Sequence, residues 1–168
     1  MILFETERLQ LRYYELSDAP FIYELMNSDG WLNYIGDRDI KSIADAEAYI
    51  EDNYLPSYKL NGYGAYLVIL KETGVVIGSS GLYKRDNLEH PDVGFAFLTE
   101  HLGKGYGFEA TARVMQYTRE ELGINTFLGI TLPANIPSIK LLEKLGLKKK
   151  GPFFFKDGTE ELLLFSTE

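Results

Sequence analysis

Three glycines at alternate positions, Gly103, Gly105 and Gly107, fall between a strand-like segment and a long helical pattern. Such a loop can turn tightly and bring bare backbone N–H groups against an anion, and the helix N-terminus that follows adds partial positive charge. Its place in the chain restricts the topology further. A dinucleotide fingerprint follows the first strand of a βαβ unit and precedes an acidic residue about twenty positions on. Here the glycines come at mid-chain, after a series of antiparallel strand patterns, which disfavours NAD. A nucleotide-binding loop of the Walker type ends in Gly-Lys-Ser/Thr, and that ending is missing.

Hydrophobic periodicity around the loop predicts the order β-α-α-β-β-β-α-β-α-β-β. Leu9, Leu11 and Tyr13 alternate with polar residues over Arg8 to Tyr14, the pattern of a strand. Ser17-Asp18-Ala19-Pro20 opens a helix to about Asn27, with Phe21, Ile22 and Leu25 at helical spacing. Asp29 to Asp39 reads as a loop, and Ser42 starts a second helix carrying Ala46, Tyr49 and Ile50. Ala65 to Leu70 is a continuous apolar run, expected of a central strand, and Glu72-Thr73-Gly74 turns it into Val75 to Tyr83. Asp92 to Leu98 is a further strand.

Beyond the glycines the pattern predicts a helix with Phe108, Ala112, Met115 and Leu122 on one stripe. A strand over Asn125 to Leu132 and a helix from Asn135 to Leu145, ended by Gly146, come next. Asp157-Gly158 marks a hairpin turn between Phe153 and Phe165. This order predicts a single α/β domain over residues 1–168. Its sheet is mixed and mostly antiparallel, with helices on both faces and a βαβ crossover at the glycine loop.

Composition excludes several functions. Among 168 residues there is no cysteine, so a disulfide framework, a thiolate metal site and a cysteine nucleophile are ruled out. His90 and His101 are the only histidines, which makes a zinc site improbable and gives no metal to expect. A net charge of −8 argues against nucleic acid, whose phosphates need clustered Lys and Arg. That charge reads either as solubility or as a means of concentrating cationic amines. Lys104, Arg113, Lys140, Lys144 and Lys148 to Lys150 all lie in the second half, where they suit an anionic cofactor. Mean hydropathy of −0.15 and the absence of a long apolar run argue against a membrane span. The opening residues lack a basic n-region, so the expected location is the cytoplasm, as a monomer or homodimer.

The run from Phe97 to Ala110, FLTEHLGKGYGFEA, resembles the acetyl-CoA loop of the GNAT N-acetyltransferase superfamily. Asn135-Ile136-Pro137-Ser138 through Gly146-Leu147 is similar to that family's next helix. Thr6-Glu7-Arg8-Leu9-Gln10-Leu11-Arg12 resembles the opening of the branch that includes RimJ and RimL, the ribosomal-protein N-terminal acetyltransferases. The resemblance implies a GNAT-type fold and transfer of acetyl from acetyl-CoA to a primary amine, with a protein or peptide N-terminal α-amine as acceptor. It further implies that backbone groups of Phe97 and Leu98 orient the acetyl and pantetheine arm. The amides of Gly103, Lys104, Gly105, Tyr106, Gly107 and Phe108 would hold the pyrophosphate, and Asn135 would anchor the pantetheine. The family usually has Gln or Arg three positions before the central glycine, where this chain has Leu102. Because the phosphate contacts are mainly to backbone, binding is expected to survive that change.

Amine acetylation needs a neutral nucleophile, a polarised thioester carbonyl and a proton for the leaving thiolate. In many GNAT enzymes a tyrosine on the last helix gives that proton, and here its position holds Leu142. Ser138, Leu141, Leu142 and Leu145 share one helical stripe, which places the Ser138 hydroxyl on the buried face. It reads either as a helix-start or back-bonded serine or, as proposed for the RimL-like branch, as the donor to the thioester sulfur. Asp92 reads either as a strand-edge carboxylate or as the base that some members carry there. Glu109, in the first turn after the glycines, reads as a helix-dipole carboxylate. The aromatic residues from Trp31 to Tyr66 divide between core packing and the acceptor cleft. With no cysteine, transfer is expected to be direct, in a ternary complex. Polyamine or antibiotic acetylation, a non-catalytic acyl-CoA sensor and a Rossmann-type reductase are the rival readings.

Overall fold

Strand β3, Ala65–Leu70, is apolar throughout because both of its faces are covered. Ala65, Leu67 and Ile69 enter one core, while Tyr66 and Val68 enter another on the opposite side of the sheet. The structure, a computed structural model, covers residues 1–168. Its one sheet has eight strands in the order β1-β2-β3-β4-β5-β6-β8-β7. Strands β1 (Phe4–Glu5), β2 (Leu9–Tyr13), β3, β4 (Val76–Tyr83) and β5 (Asp92–Phe97) run antiparallel to their neighbours. A crossover through helix α5 (Tyr106–Leu122) then brings β6 (Leu128–Thr131) parallel to β5. Strand β7 (Lys148–Phe153) follows α6 (Ile136–Lys144), and β8 (Leu162–Ser166) inserts between β6 and β7. This is the mixed, mostly antiparallel sheet with its βαβ unit that the periodicity predicts.

Helices α5 and α6 lie on one face, and the helices between Ala19 and Asn61 on the other. Several elements depart from expectation. The segment expected as a loop contains α2, Asp29–Tyr34, capped by the Ser28 hydroxyl, which accepts from the Trp31 N–H. The helix buries Trp31, and this burial outweighs the poor propensities of Asp29 and Gly30. After α1 (Ala19–Met26) and α2, the helix opened by Ser42 continues from α3, Ile43–Tyr49, through a π-helical turn, Ile50–Tyr54, into α4, Leu55–Asn61. A proline ring clashes with the carbonyl four residues back. The wider turn before Pro56, where the Leu55 N–H bonds to Ile50 O, lets the helix continue past it.

The buried stripe of α5 is also shifted. It comprises Ala110, Thr111, Val114, Met115 and Thr118, so only Met115 belongs to the expected set. Both threonines are satisfied internally: Thr111 Oγ1 lies 2.9 Å from Ser80 Oγ, and Thr118 Oγ1 donates to Val114 O. Near the C-terminus the hairpin forms, but β7 begins at Lys148, and Asp157-Gly158 lies inside a loop spanning 154–161. None of these changes moves the glycine loop or Asn135, which caps α6.

Candidate functional site

Strands β5 and β6 pair at a single position, Asp92 with Leu128, and then diverge. The Leu128 N–H donates to Pro91 O, whereas the Leu98 N–H donates to Ile77 O on the β4 side. Alternation along the strand therefore directs the backbone groups of Phe95 and Phe97 toward β6, where β6 has turned away. The resulting opening between the two strands, in the middle of the sheet, belongs to a cleft of about 920 Å³. Phe97 lies in its wall, and its ring fits only because Gly78 has no side chain: an added Cβ there would meet the ring at 2.3 Å.

The glycine loop closes one end. Gly103 and Gly105 have φ of +75° and +83°, a left-handed conformation that L side chains rarely adopt. Gly105 is the N-cap of α5, and no side chain caps that helix. The first intrahelical bond runs from Glu109 N–H to Gly105 O, so the earlier amides are the unpaired donors that every helix start leaves. Gly103, Gly105, Tyr106, Gly107 and Phe108 all line the cleft. Lys140 and Lys144 line it too, with the Lys144 ammonium 4.3 Å from the centre of the Phe108 ring. Uncapped amides at the start of a 17-residue helix, flanked by two cations, have the chemistry of a pyrophosphate site. These residues fit acetyl-CoA.

Two of the expected cofactor residues lie elsewhere. Leu98 is buried in the core beneath α1–α4, its N–H donating to Ile77 O and its carbonyl accepting from His101 N–H. Its N–H therefore faces β4 and offers no donor to the cleft, which leaves Phe97 as the exposed partner. Lys104 is exposed and does not line the cleft; its carbonyl accepts from Arg8 Nη1. Leu102, the position that departs from the family pattern, lies at the rim.

Asn135 and Ser138 are linked locally. The Ser138 N–H donates to Asn135 Oδ1 at 3.3 Å, so the asparagine carbonyl caps α6 and its amide nitrogen stays free for a ligand. Ser138 is half-buried at the cleft wall rather than fully enclosed, and its hydroxyl makes no hydrogen bond within the protein. Back-bonding therefore does not account for it. Leu142, at the usual tyrosine position, is buried against Gly129 of β6.

Asp92 lies across the cleft, on the face covered by α1–α4. It is 3% exposed and accepts from Arg85 Nε at 2.9 Å. Burial pushes its carboxyl up to about 6, although the Arg85 guanidinium acts in the opposite direction. A buried carboxylate in this range can accept a proton near neutral pH. Trp31, Tyr34, Tyr49 and Tyr54 line the same side, together with Asp52 and Asn53 of the π-helical turn. The π turn, which sequence periodicity missed, thus shapes this half of the cleft. Tyr58 and Tyr66 belong to the core instead, and the Tyr58 hydroxyl links β3 to the residue after β2 by donating to Ala65 O and accepting from Tyr14 N–H. His101 lies at the rim, while His90 lines a separate hollow.

Comparison with known proteins agrees with this fold. Residues 8–148 match the family described as the acetyltransferase (GNAT) domain. The uncharacterized N-acetyltransferase YnaD of Bacillus subtilis is 28% identical over 151 residues, 90% of this chain and 84% of that protein. The uncharacterized N-acetyltransferase p20 of Bacillus licheniformis is 30% identical over 148 residues, 87% and 82% of the two chains. A ribosomal-protein-S5-alanine acetyltransferase from Vibrio fischeri shares the fold with a TM-score of 0.80 at 22% identity, covering 97% and 94% of the two chains.

Proposed function

The chain belongs to the GNAT acetyltransferase family and is an acyl-CoA-dependent N-acetyltransferase, and we propose that its acceptor is the α-amine of a peptide or protein N-terminus. The observation that carries this reading is the position of Asp92, buried in the same cleft as the uncapped start of α5. An amine must lose its proton before it attacks. At pH 7 that costs about 1–1.4 kcal/mol for an α-amine of pKa about 7.7–8.0, and roughly 4.6 kcal/mol for a lysine-like amine of pKa about 10.4. A carboxylate at about 6 accepts the proton of an α-ammonium with far less mismatch than that of a lysine. The opening from Thr6 to Arg12 and the Vibrio fischeri likeness point the same way. Another neighbour of the same fold, a spermidine N-acetyltransferase chimera at 19% identity and a TM-score of 0.76, shows that this fold also serves polyamines.

Acetyl-CoA, when bound, supplies the activated acyl carbonyl. In this reading the amides of Gly105 to Phe108 hold its pyrophosphate, the β6-facing backbone of Phe97 aligns the acyl arm, and Asn135 Nδ2 donates to the pantetheine. Asp92 takes the proton from the attacking amine, and the Ser138 hydroxyl donates to the leaving sulfur. Comparing kcat/KM for a peptide with a free N-terminus, its Nα-blocked lysine-containing analogue and spermidine tests the acceptor. The free peptide is expected to react fastest. Faster acetylation of the blocked peptide or of spermidine would overturn the α-amine assignment.

The α6 cap makes a separable prediction. Ser138→Ala is expected to leave acetyl-CoA affinity unchanged and lower kcat by about 10²-fold, within the range for acid–base groups. Asn135→Ala is expected to weaken acetyl-CoA binding and also to cost roughly 1 kcal/mol of stability through the lost cap. Steady-state kinetics and thermal melts check both. Wild-type kcat in Ser138→Ala would leave the serine without a catalytic part.

A further inference from the structure

Glu109 presents a difficulty for the site described above. A carboxylate in the first turn of α5 stabilises the helix, yet it lies beside the amides assigned to an anion, and like charges repel. The chain answers it with a residue from the far end of the sequence. Arg8, just ahead of β2, donates from Nε to Glu109 Oε1 at 2.7 Å, and its backbone N–H donates to Glu109 Oε2 at 2.9 Å. Thr6 Oγ1 donates to the same Oε2 at 2.5 Å. Nη1 of Arg8 donates to Lys104 O at 2.9 Å, its guanidinium carbon stands 4.5 Å from the centre of the Tyr106 ring, and Nη2 lies 3.3 Å from where a Cβ on Gly105 would be. One guanidinium thus contacts Lys104, the Tyr106 ring and the carboxylate of Glu109, and stands next to Gly105, without itself lining the cleft.

We infer that Arg8 is a positioning residue for the cofactor: its guanidinium neutralises Glu109 and braces Lys104, so that the N-terminus of α5 can receive a pyrophosphate. Burial raises the Glu109 carboxyl, but the hydrogen bonds from Thr6 and Arg8 outweigh it and hold the group below its ordinary range. Glu109 is therefore a full negative charge at neutral pH, and without Arg8 that charge would oppose the ligand. The Thr6-Glu7-Arg8 motif, far from the glycines in sequence, acquires a function in this way. The inference rests on the glycine loop being the acetyl-CoA site.

Calorimetry with acetyl-CoA tests it in the wild type, Arg8→Met, Glu109→Gln and the double variant, with Gly105→Val as the control for the site itself. Arg8→Met is expected to weaken binding by about tenfold at low salt, less at high salt, since the effect is electrostatic. Adding Glu109→Gln to Arg8→Met should restore affinity to within about threefold of wild type, because the opposing charge is gone. In kinetics the KM for acetyl-CoA should rise in Arg8→Met, while kcat and the acceptor KM stay within about twofold. If Arg8→Met fails to fold, Glu109→Gln alone decides: affinity equal to or tighter than wild type supports neutralisation, and a loss of about tenfold overturns it. Arg8→Met binding like wild type, or a double variant no tighter than Arg8→Met, also overturns it. Wild-type affinity in Gly105→Val would instead remove the loop from the site, a distinguishable failure.

Discussion

Gly105→Val is expected to abolish acetyl-CoA binding in a protein that still folds. A β-branched residue at φ of +83° is strained by about 1–3 kcal/mol, which a domain of this size tolerates. Its Cβ would also stand 3.3 Å from Arg8 Nη2, and the rest of the side chain would cover the first free amides of α5. Backbone donors cannot be moved aside as a side chain can, so an anion held by them is lost when they are screened. Gly107 is different. It lies within α5, and an added Cβ would meet Leu141 Cδ2 at 3.1 Å, which a small shift of that leucine relieves. Gly107→Ala is therefore expected to bind more weakly than wild type but measurably. Circular dichroism with calorimetry checks the pair, and equal affinities for wild type and Gly105→Val would disprove the assignment.

Asp92→Asn is expected to make the protein more stable and a far poorer catalyst. The folded protein raises the Asp92 carboxyl from 3.8 to about 6 through burial. Between those values the native state retains a proton that the unfolded chain has released, so this group's contribution to stability falls as pH rises from about 4 to about 6. Above that window the penalty is constant. Raising the carboxyl that far corresponds to about 3 kcal/mol. An uncharged amide avoids the penalty at pH 7, and Arg85, 37% exposed and packed against Phe155, can hydrate when it loses its partner. A gain of roughly 2 kcal/mol is therefore expected at pH 7, shrinking toward pH 4. Over the same substitution kcat should fall by about 10²–10⁴-fold, the range for a lost acid–base group. In the wild type kcat/KM should rise through an apparent pKa near 6, and that limb should vanish in the variant. Denaturant melts across pH and a pH–rate profile read both effects. A less stable variant with wild-type turnover would make Asp92 an ordinary structural partner of Arg85.

Local spacing in the sequence determined much of this protein. Continuous apolarity identified β3, alternate glycines marked the start of α5, and Asn135 with Gly146 bounded α6, because such signals act between residues a few positions apart. The resemblance carried by those segments pointed to Gly105, Asn135 and Ser138, and all three line one cleft. Trp31 and Pro56 mark where that local code failed. Burial of the indole formed α2 from residues of poor propensity, and the widened turn at Ile50–Tyr54 carried a helix through a proline that should have stopped it. Leu98 has the sequence of a strand end, yet the direction of its N–H depends on which edge of β5 faces β4. The elevated carboxyl of Asp92 depends on what covers it, and the ion pair of Arg8 with Glu109 spans 101 positions. Tertiary structure decided these features because desolvation and Coulomb attraction depend on distance in space, whereas sequence spacing reports only distance along the chain.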